Sequence, residues 1–170
     1  FSVTSQRDAG NRTVTMAKYS YDGRRIACVG MDSKLHILSA DTAEELYSYQ
    51  NLDAIHTVLT TPDDHVVIGD RGGVLSTFHL PAPGSKLPAD GWEPSLRCAG
   101  FDSPISATIW LNHAVPSDTT RGEVLSADRK GNVWSWSIDN GSGPAFVLPL
   151  PDHAEGWHDI VCLADAGSKL

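Results

Sequence analysis

The chain has 170 residues, 41% of them hydrophobic and 20% charged, which is enough apolar material for a packed core and argues against disorder. Its formal charge of −8 argues against a general binder of nucleic acid or anionic membrane. Fifteen Gly and ten Pro scattered between short apolar runs point to many turns and short strands rather than long helices.

In chain order, the first expected element is Phe1–Ser2–Val3–Thr4, a candidate outer strand of a preceding sheet. An alternating run over 13–19 follows, then the turn Tyr21–Asp22–Gly23–Arg24, a second run over 25–30, an Asp32-bearing turn and a third run over 35–38. The same layout returns as 55–60, the turn 61–64, 65–69, Asp70–Arg71–Gly72–Gly73 and 74–78. It returns again as 105–111, a longer polar connection, 123–126, Asp128–Arg129–Lys130–Gly131 and 133–138. Each run is short, rich in β-branched or aromatic residues, and bounded by Gly, Pro, Asp or Asn, which is the signature of strands joined by hairpins. Gly and Asp tolerate the left-handed conformations that tight turns need. Outer fourth strands are expected at 44–49, 95–98 and 144–148. Insertions at 81–94 and 112–121 are expected as surface loops.

A fourth copy begins at 157–164, and matching Gly23 with Gly167 gives a period of about 48 residues, close to that of a four-stranded propeller blade. The expected fold class is therefore all-β, a propeller segment of about three four-stranded antiparallel blades over 11–50, 53–99 and 103–150, with a further blade starting over 153–170. Three blades leave a ring incomplete. Further blades are expected from the same chain or from a partner, and Phe1 in place of Met suggests a processed or truncated chain.

The stretch Tyr19–Ser–Tyr–Asp–Gly–Arg–Arg–Ile–Ala–Cys–Val–Gly–Met–Asp–Ser–Lys–Leu–His–Ile–Leu38 resembles the WD40-repeat family, as does Leu125–Ser–Ala–Asp–Arg–Lys–Gly–Asn–Val–Trp–Ser–Trp136, with Trp136 at the family's Trp position. Departures accompany it: no Trp–Asp pair and no Gly–His pair occur, so the family's His–Ser–Asp–Trp hydrogen-bond network is incomplete in every repeat. The resemblance implies a non-catalytic protein–protein interaction scaffold or adaptor, a subunit of a larger complex, working inside the cell in cytoplasm or nucleus. Its alternatives are a ligand-binding or enzymatic propeller with a central-channel site, and a purely structural subunit docking through its insertions.

Sites of chemistry are sparse. No HExxH, GxSxG, P-loop or GxGxxG motif occurs, and Cys28, Cys98 and Cys162 form no CxxC pair. His153 and His158, near Asp152, Glu155 and Asp159, read as a polar loop rather than a metal site. No catalytic, metal or cofactor residue is expected, and no cofactor. What rises above background is a set of cations at the three Asp turns, namely Lys34, Arg71, and Arg129 with Lys130. In a WD40-like propeller these turns share one face with the loops entering each blade, which include Asp102 and Trp157. A basic arc on an acidic protein is suited to steering an acidic peptide segment of a protein partner, with Trp157 as an apolar anchor. No direct nucleic-acid contact and no membrane insertion are expected.

Overall fold

The computed structural model describes residues 13–82, 85, 91–99, 101–112, 122–138 and 145–148, with the backbone alone at 112, 122 and 145–148. Twelve strands among them form three four-stranded antiparallel sheets. Blade 1 runs β1 (Val14–Tyr19), β2 (Arg25–Gly30), β3 (Lys34–Ser39), β4 (Glu45–Gln50). Blade 2 runs β5 (Ile55–Thr60), β6 (His65–Asp70), β7 (Val74–His79), β8 (Leu96–Ala99). Blade 3 runs β9 (Ile105–Asn112), β10 (Gly122–Asp128), β11 (Val133–Trp136), β12 (Ala145–Leu148). Strands pair in chain order within each sheet, so every blade is a meander. The candidate strand over 1–4 and the fourth copy over 153–170 lie outside the described residues. No helix among the described residues is long and apolar enough to cross a membrane.

The first strands β1, β5 and β9 adjoin one another in succession, and the sheets stack face on face outward from them. Blade 2 is the middle layer and is apolar on both sides because alternate residues of a strand point to opposite faces. Val58, Val66, Ile68 and Phe78 pack with Val29, Leu35, Ile37 and Tyr47 of blade 1. Val67 and Leu75 pack with Ile105, Val124 and Trp136 of blade 3. The 81–94 insertion is more than a surface loop: Trp92 is buried in the first of these cores, its ring 4.8 Å from that of Phe78 and its indole N–H donating to the His79 carbonyl at 3.0 Å.

Polar contacts between blades are few and specific. Thr57 Oγ1 and Thr108 Oγ1 share a hydrogen bond of 2.7 Å between blades 2 and 3. Thr77 Oγ1 is fully buried on the same face of blade 2 and has no hydrogen-bond partner among the described residues. A buried hydroxyl without a partner costs more than a methyl of similar shape. Thr77→Val is therefore expected to raise the unfolding free energy by about 1 kcal/mol, whereas Thr57→Val, which strands the Thr108 hydroxyl, lowers it by about 1 kcal/mol. Urea denaturation of the two variants checks the opposite signs.

Between blades 1 and 2 an ionic contact accompanies the Thr60 hydroxyl, which donates to the Tyr19 carbonyl at 2.7 Å. Arg25 is 3% exposed; its guanidinium donates to Asp22 Oδ2 at 3.1 Å, Asp64 Oδ1 at 2.7 Å and the Pro81 carbonyl at 2.9 Å. Burial would raise the Asp22 carboxyl, but hydrogen bonds from Ser20 and the Arg24 amide, with the Arg25 charge, hold it below its ordinary 3.8. Its contribution to stability is thus present above about pH 4 and is lost as pH falls through the lowered value, because the unfolded chain takes up the proton first. Arg25→Met is expected to cost about 2 kcal/mol, less than for a fully buried pair because both carboxylates keep contact with water. Thermal melts at neutral pH check the loss.

Candidate functional site: the loop face of the blades

One end of the three sheets is built from the turns between second and third strands and from the loops that enter each blade. The Met31, Arg71 and Arg129 amides donate to the carbonyls of Thr13, Ala54 and Pro104, each just before the first strand of its blade, at 3.1, 2.9 and 3.1 Å. These three residues therefore hold equivalent positions. Two residues on, Ser33, Gly73 and Gly131 are all left-handed, with φ of 58, 76 and 84°. In blades 2 and 3 the turn is closed by an aspartate: Asp70 Oδ1 accepts from the Val74 amide and Asp128 Oδ1 from those of Lys130 and Asn132, all at 2.9 Å. Blade 1 has Gly30 at that position and uses Asp32, two residues later, which accepts from the Lys34 amide at 3.1 Å.

The expected cations divide on this frame. Arg71 and Arg129 are exposed at matching positions of neighbouring blades, and neither guanidinium has an ion-pair partner among the described residues. Lys130, beside Arg129, lies 3.9 Å from the exposed Asp102. Lys34 does not match them: it is the first residue of β3, half-buried, and the position equivalent to Arg71 in blade 1 is Met31, 76% exposed. Trp157 lies outside the described residues, as do His153 and His158.

Three residues of this end escaped the sequence reading. Met31 and Leu52 are exposed apolar side chains, at 76% and 89%. They share the blade 1 sector, since the Asn51 amide next to Leu52 donates to the Ser33 carbonyl at 2.9 Å. The third is His56. Each first strand carries a β-bulge at its second residue, Thr15, His56 or Ser106, because the register slips there against the second strand. Bulges turn a side chain out of the regular alternation. The Thr15 and Ser106 hydroxyls return to carbonyls of their own blade, Val29 at 3.3 Å and Ala127 at 3.2 Å. His56 instead faces the Ile105 backbone of the next blade and lies within electrostatic reach of Arg129, Arg71 and Asp70. Burial, followed by the two guanidinium charges, lowers its pKa from the ordinary 6.5, against a weaker opposing pull from Asp70 and the Ile105 backbone.

The loop face thus has an apolar sector at blade 1 (Met31, Leu52) beside a cationic sector spanning blades 2 and 3 (Arg71, Arg129, Lys130), with His56 within electrostatic reach of the two arginines. Among the described residues no cluster of His, Cys, Asp or Glu has the arrangement of a metal site.

No protein-family model matches the chain, and no curated protein matches it. Solved structures do. The WD40 β-propeller domain of Doa1 superposes with a TM-score of 0.64 at 17% identity, covering 88% of this chain and 45% of that one. The Myceliophteria thermophila Cps50 (Swd1) β-propeller domain gives 0.64 at 17% identity over 82% and 44%. The computationally designed Ika4 protein gives 0.70 at 14% identity over 98% and 88%. The chain spans less than half the length of the two natural propeller domains. Its described residues have the fold of a WD40-type β-propeller, in three successive blades.

Proposed function

We propose that this protein is a non-catalytic protein-interaction scaffold, a subunit of a larger complex, whose loop face docks an acidic segment of a protein partner. The observation that carries the reading is the pair Arg71 and Arg129, two exposed guanidiniums at equivalent positions of adjacent blades, neither with an ion-pair partner among the described residues, on a protein of net charge −8. Elsewhere the buried Arg25 is matched by two carboxylates, Asp22 and Asp64. A cationic patch on an acidic surface steers anionic groups and fixes their register. Met31 and Leu52 supply the apolar anchor within the described residues, with Trp157 a further candidate. The WD40-type fold supports a scaffold by analogy of architecture, which is a weaker warrant than the site. Further blades, from the same polypeptide or a partner, and an intracellular setting in cytoplasm or nucleus belong to the same reading.

Affinity purification of the full chain with quantitative mass spectrometry tests it. The double variant Arg71→Glu with Arg129→Glu is expected to lose at least about tenfold of its specific partners, since removing a charge contact costs about 1–2 kcal/mol and reversing it adds repulsion. Lys18→Glu, an exposed change on β1, is the control and keeps them. Unchanged recovery with the double variant rejects the docking face.

A further inference from the structure

The end of the blades opposite the docking face carries a pocket of about 350 Å³. Arg25, Ser39 and Tyr47 line it from β2, β3 and β4, and Ser85 lines it from the blade 2 insertion. Arg24 and Asp41 line it from two neighbouring turns, which are joined where the Ala40 amide donates to the Arg24 carbonyl at 2.8 Å. Both side chains are exposed. Among the described residues neither has an ion-pair partner, and they do not pair with each other. Opposite charges that share a pocket without joining leave room for a ligand that carries both. Arg25 adds a donor. Its terminal nitrogens serve Asp22, Asp64 and the Pro81 carbonyl, yet its buried Nε has no hydrogen-bond partner among the described residues. An acceptor that reaches this N–H removes the penalty of a buried donor left unpaired. Ser39 Oγ accepts from the Thr42 amide at 3.2 Å and keeps its own proton to donate. Leu46 and the Tyr47 ring supply apolar surface.

We propose that this pocket binds a free α-amino acid with an apolar side chain. Arg24 and the Arg25 Nε–H receive the carboxylate, Asp41 receives the ammonium, and the side chain lies against Leu46 and Tyr47. The volume is at the small end of the range for small-molecule sites, which suits a ligand of this size. A dicarboxylate would bring a like charge to Asp41, and a polyamine would bring one to Arg24. A neutral amphiphile would leave both charges without a partner. A zwitterion meets each with its opposite, through charge-assisted hydrogen bonds. The site is at the far end of the blades from Arg71 and Arg129 and does not rest on the docking reading.

Isothermal titration calorimetry of the full chain with L-alanine, L-leucine and L-phenylalanine tests this. At least one is expected to bind with a Kd at or below about 1 mM. Its N-acetyl derivative, which lacks the ammonium, and its amide, which lacks the carboxylate, are each expected to bind at least about tenfold more weakly. Arg24→Gln and Asp41→Asn change exposed side chains and are expected to weaken the amino acid at least about tenfold while leaving the thermal melt of the free protein unchanged. Absence of binding by all three up to about 10 mM overturns the proposal. A derivative that binds as tightly as the parent overturns the zwitterion assignment. Unchanged affinity in both variants overturns the location. A dipeptide of the same residue that binds more tightly overturns the free amino acid in favour of a chain terminus. Each of these outcomes leaves the docking face standing.

Discussion

Phe78→Ala is expected to lower the unfolding free energy by about 3–5 kcal/mol, the largest loss from any single truncation in blades 1 and 2. The side chain is fully buried and sits between the rings of Tyr49 and Trp92, each with its centroid 4.8 Å away. Tyr49 belongs to β4 of blade 1, Phe78 to β7 of blade 2, and Trp92 to the insertion that precedes β8. One ring therefore joins two blades and the insertion, and its removal leaves a cavity that three separate elements would have to close. Part of the cost is the lost transfer of apolar surface, and part is the aromatic contacts. Phe78→Leu keeps most of the volume and is expected to lose less than half as much. Urea denaturation followed by Trp fluorescence measures both, with the Trp92 environment as an internal reporter.

Gly73→Ala is expected to cost about 3 kcal/mol although it adds a single methyl group, by overpacking and backbone strain together. Two effects coincide there. Its φ of 76° is a conformation that L side chains rarely adopt. An added Cβ would collide with the Phe101 carbonyl oxygen and fall 2.9 Å from that of Ser103, which are backbone atoms of the loop entering blade 3. Such atoms cannot rotate away as a flexible side chain does. The turn and that loop also carry Arg71 and Asp102, so the same substitution is expected to disturb the docking face. Gly23→Ala serves as the comparison: φ is again positive, at 70°, but nothing lies within 4 Å of the added carbon, and the cost is about 1 kcal/mol. Thermal melts of the two variants separate steric conflict from conformational strain.

The strands were legible in the sequence because their signals are local. The run over 55–60 coincides with β5, the outer strand expected at 144–148 starts one residue before β12, and the one expected at 95–98 is displaced from β8 by one residue at each end. What local pattern could not supply was the alignment of blade 1. Its most visible acidic residue, Asp32, invites superposition on Asp70 and Asp128, which puts Lys34 among the cations. The backbone aligns instead on the left-handed residue, and in blade 1 that residue is Ser33, which has no composition signal comparable to Gly73 or Gly131. Superposing Gly30–Met31 on Asp70–Arg71 and Asp128–Arg129 would have exposed the apolar sector from sequence.

His56 was illegible for a different reason. Its significance depends on a bulge and on contact with the Ile105 backbone 49 positions later, neither of which leaves a mark in composition. Trp92 was missed because its surroundings are rich in Pro and Gly, the usual marks of an exposed connection. Its burial comes from contact with blade 1 residues such as Tyr47, whose ring lies 5.7 Å away.

In the proposed function, partners meet this protein on the end formed by the entering loops and the turns at Met31, Arg71 and Arg129. Backbone amide NMR of the full chain, titrated with a Leu- and Glu-rich acidic peptide, tests it most directly. Shifts are expected to concentrate at Leu52–His56, Arg71–Gly73, Asp102–Ser103 and Arg129–Gly131, growing as salt is lowered. Shifts centred on the opposite turns, around Tyr21–Arg24 and Pro62–Asp64, or insensitive to salt, would contradict it.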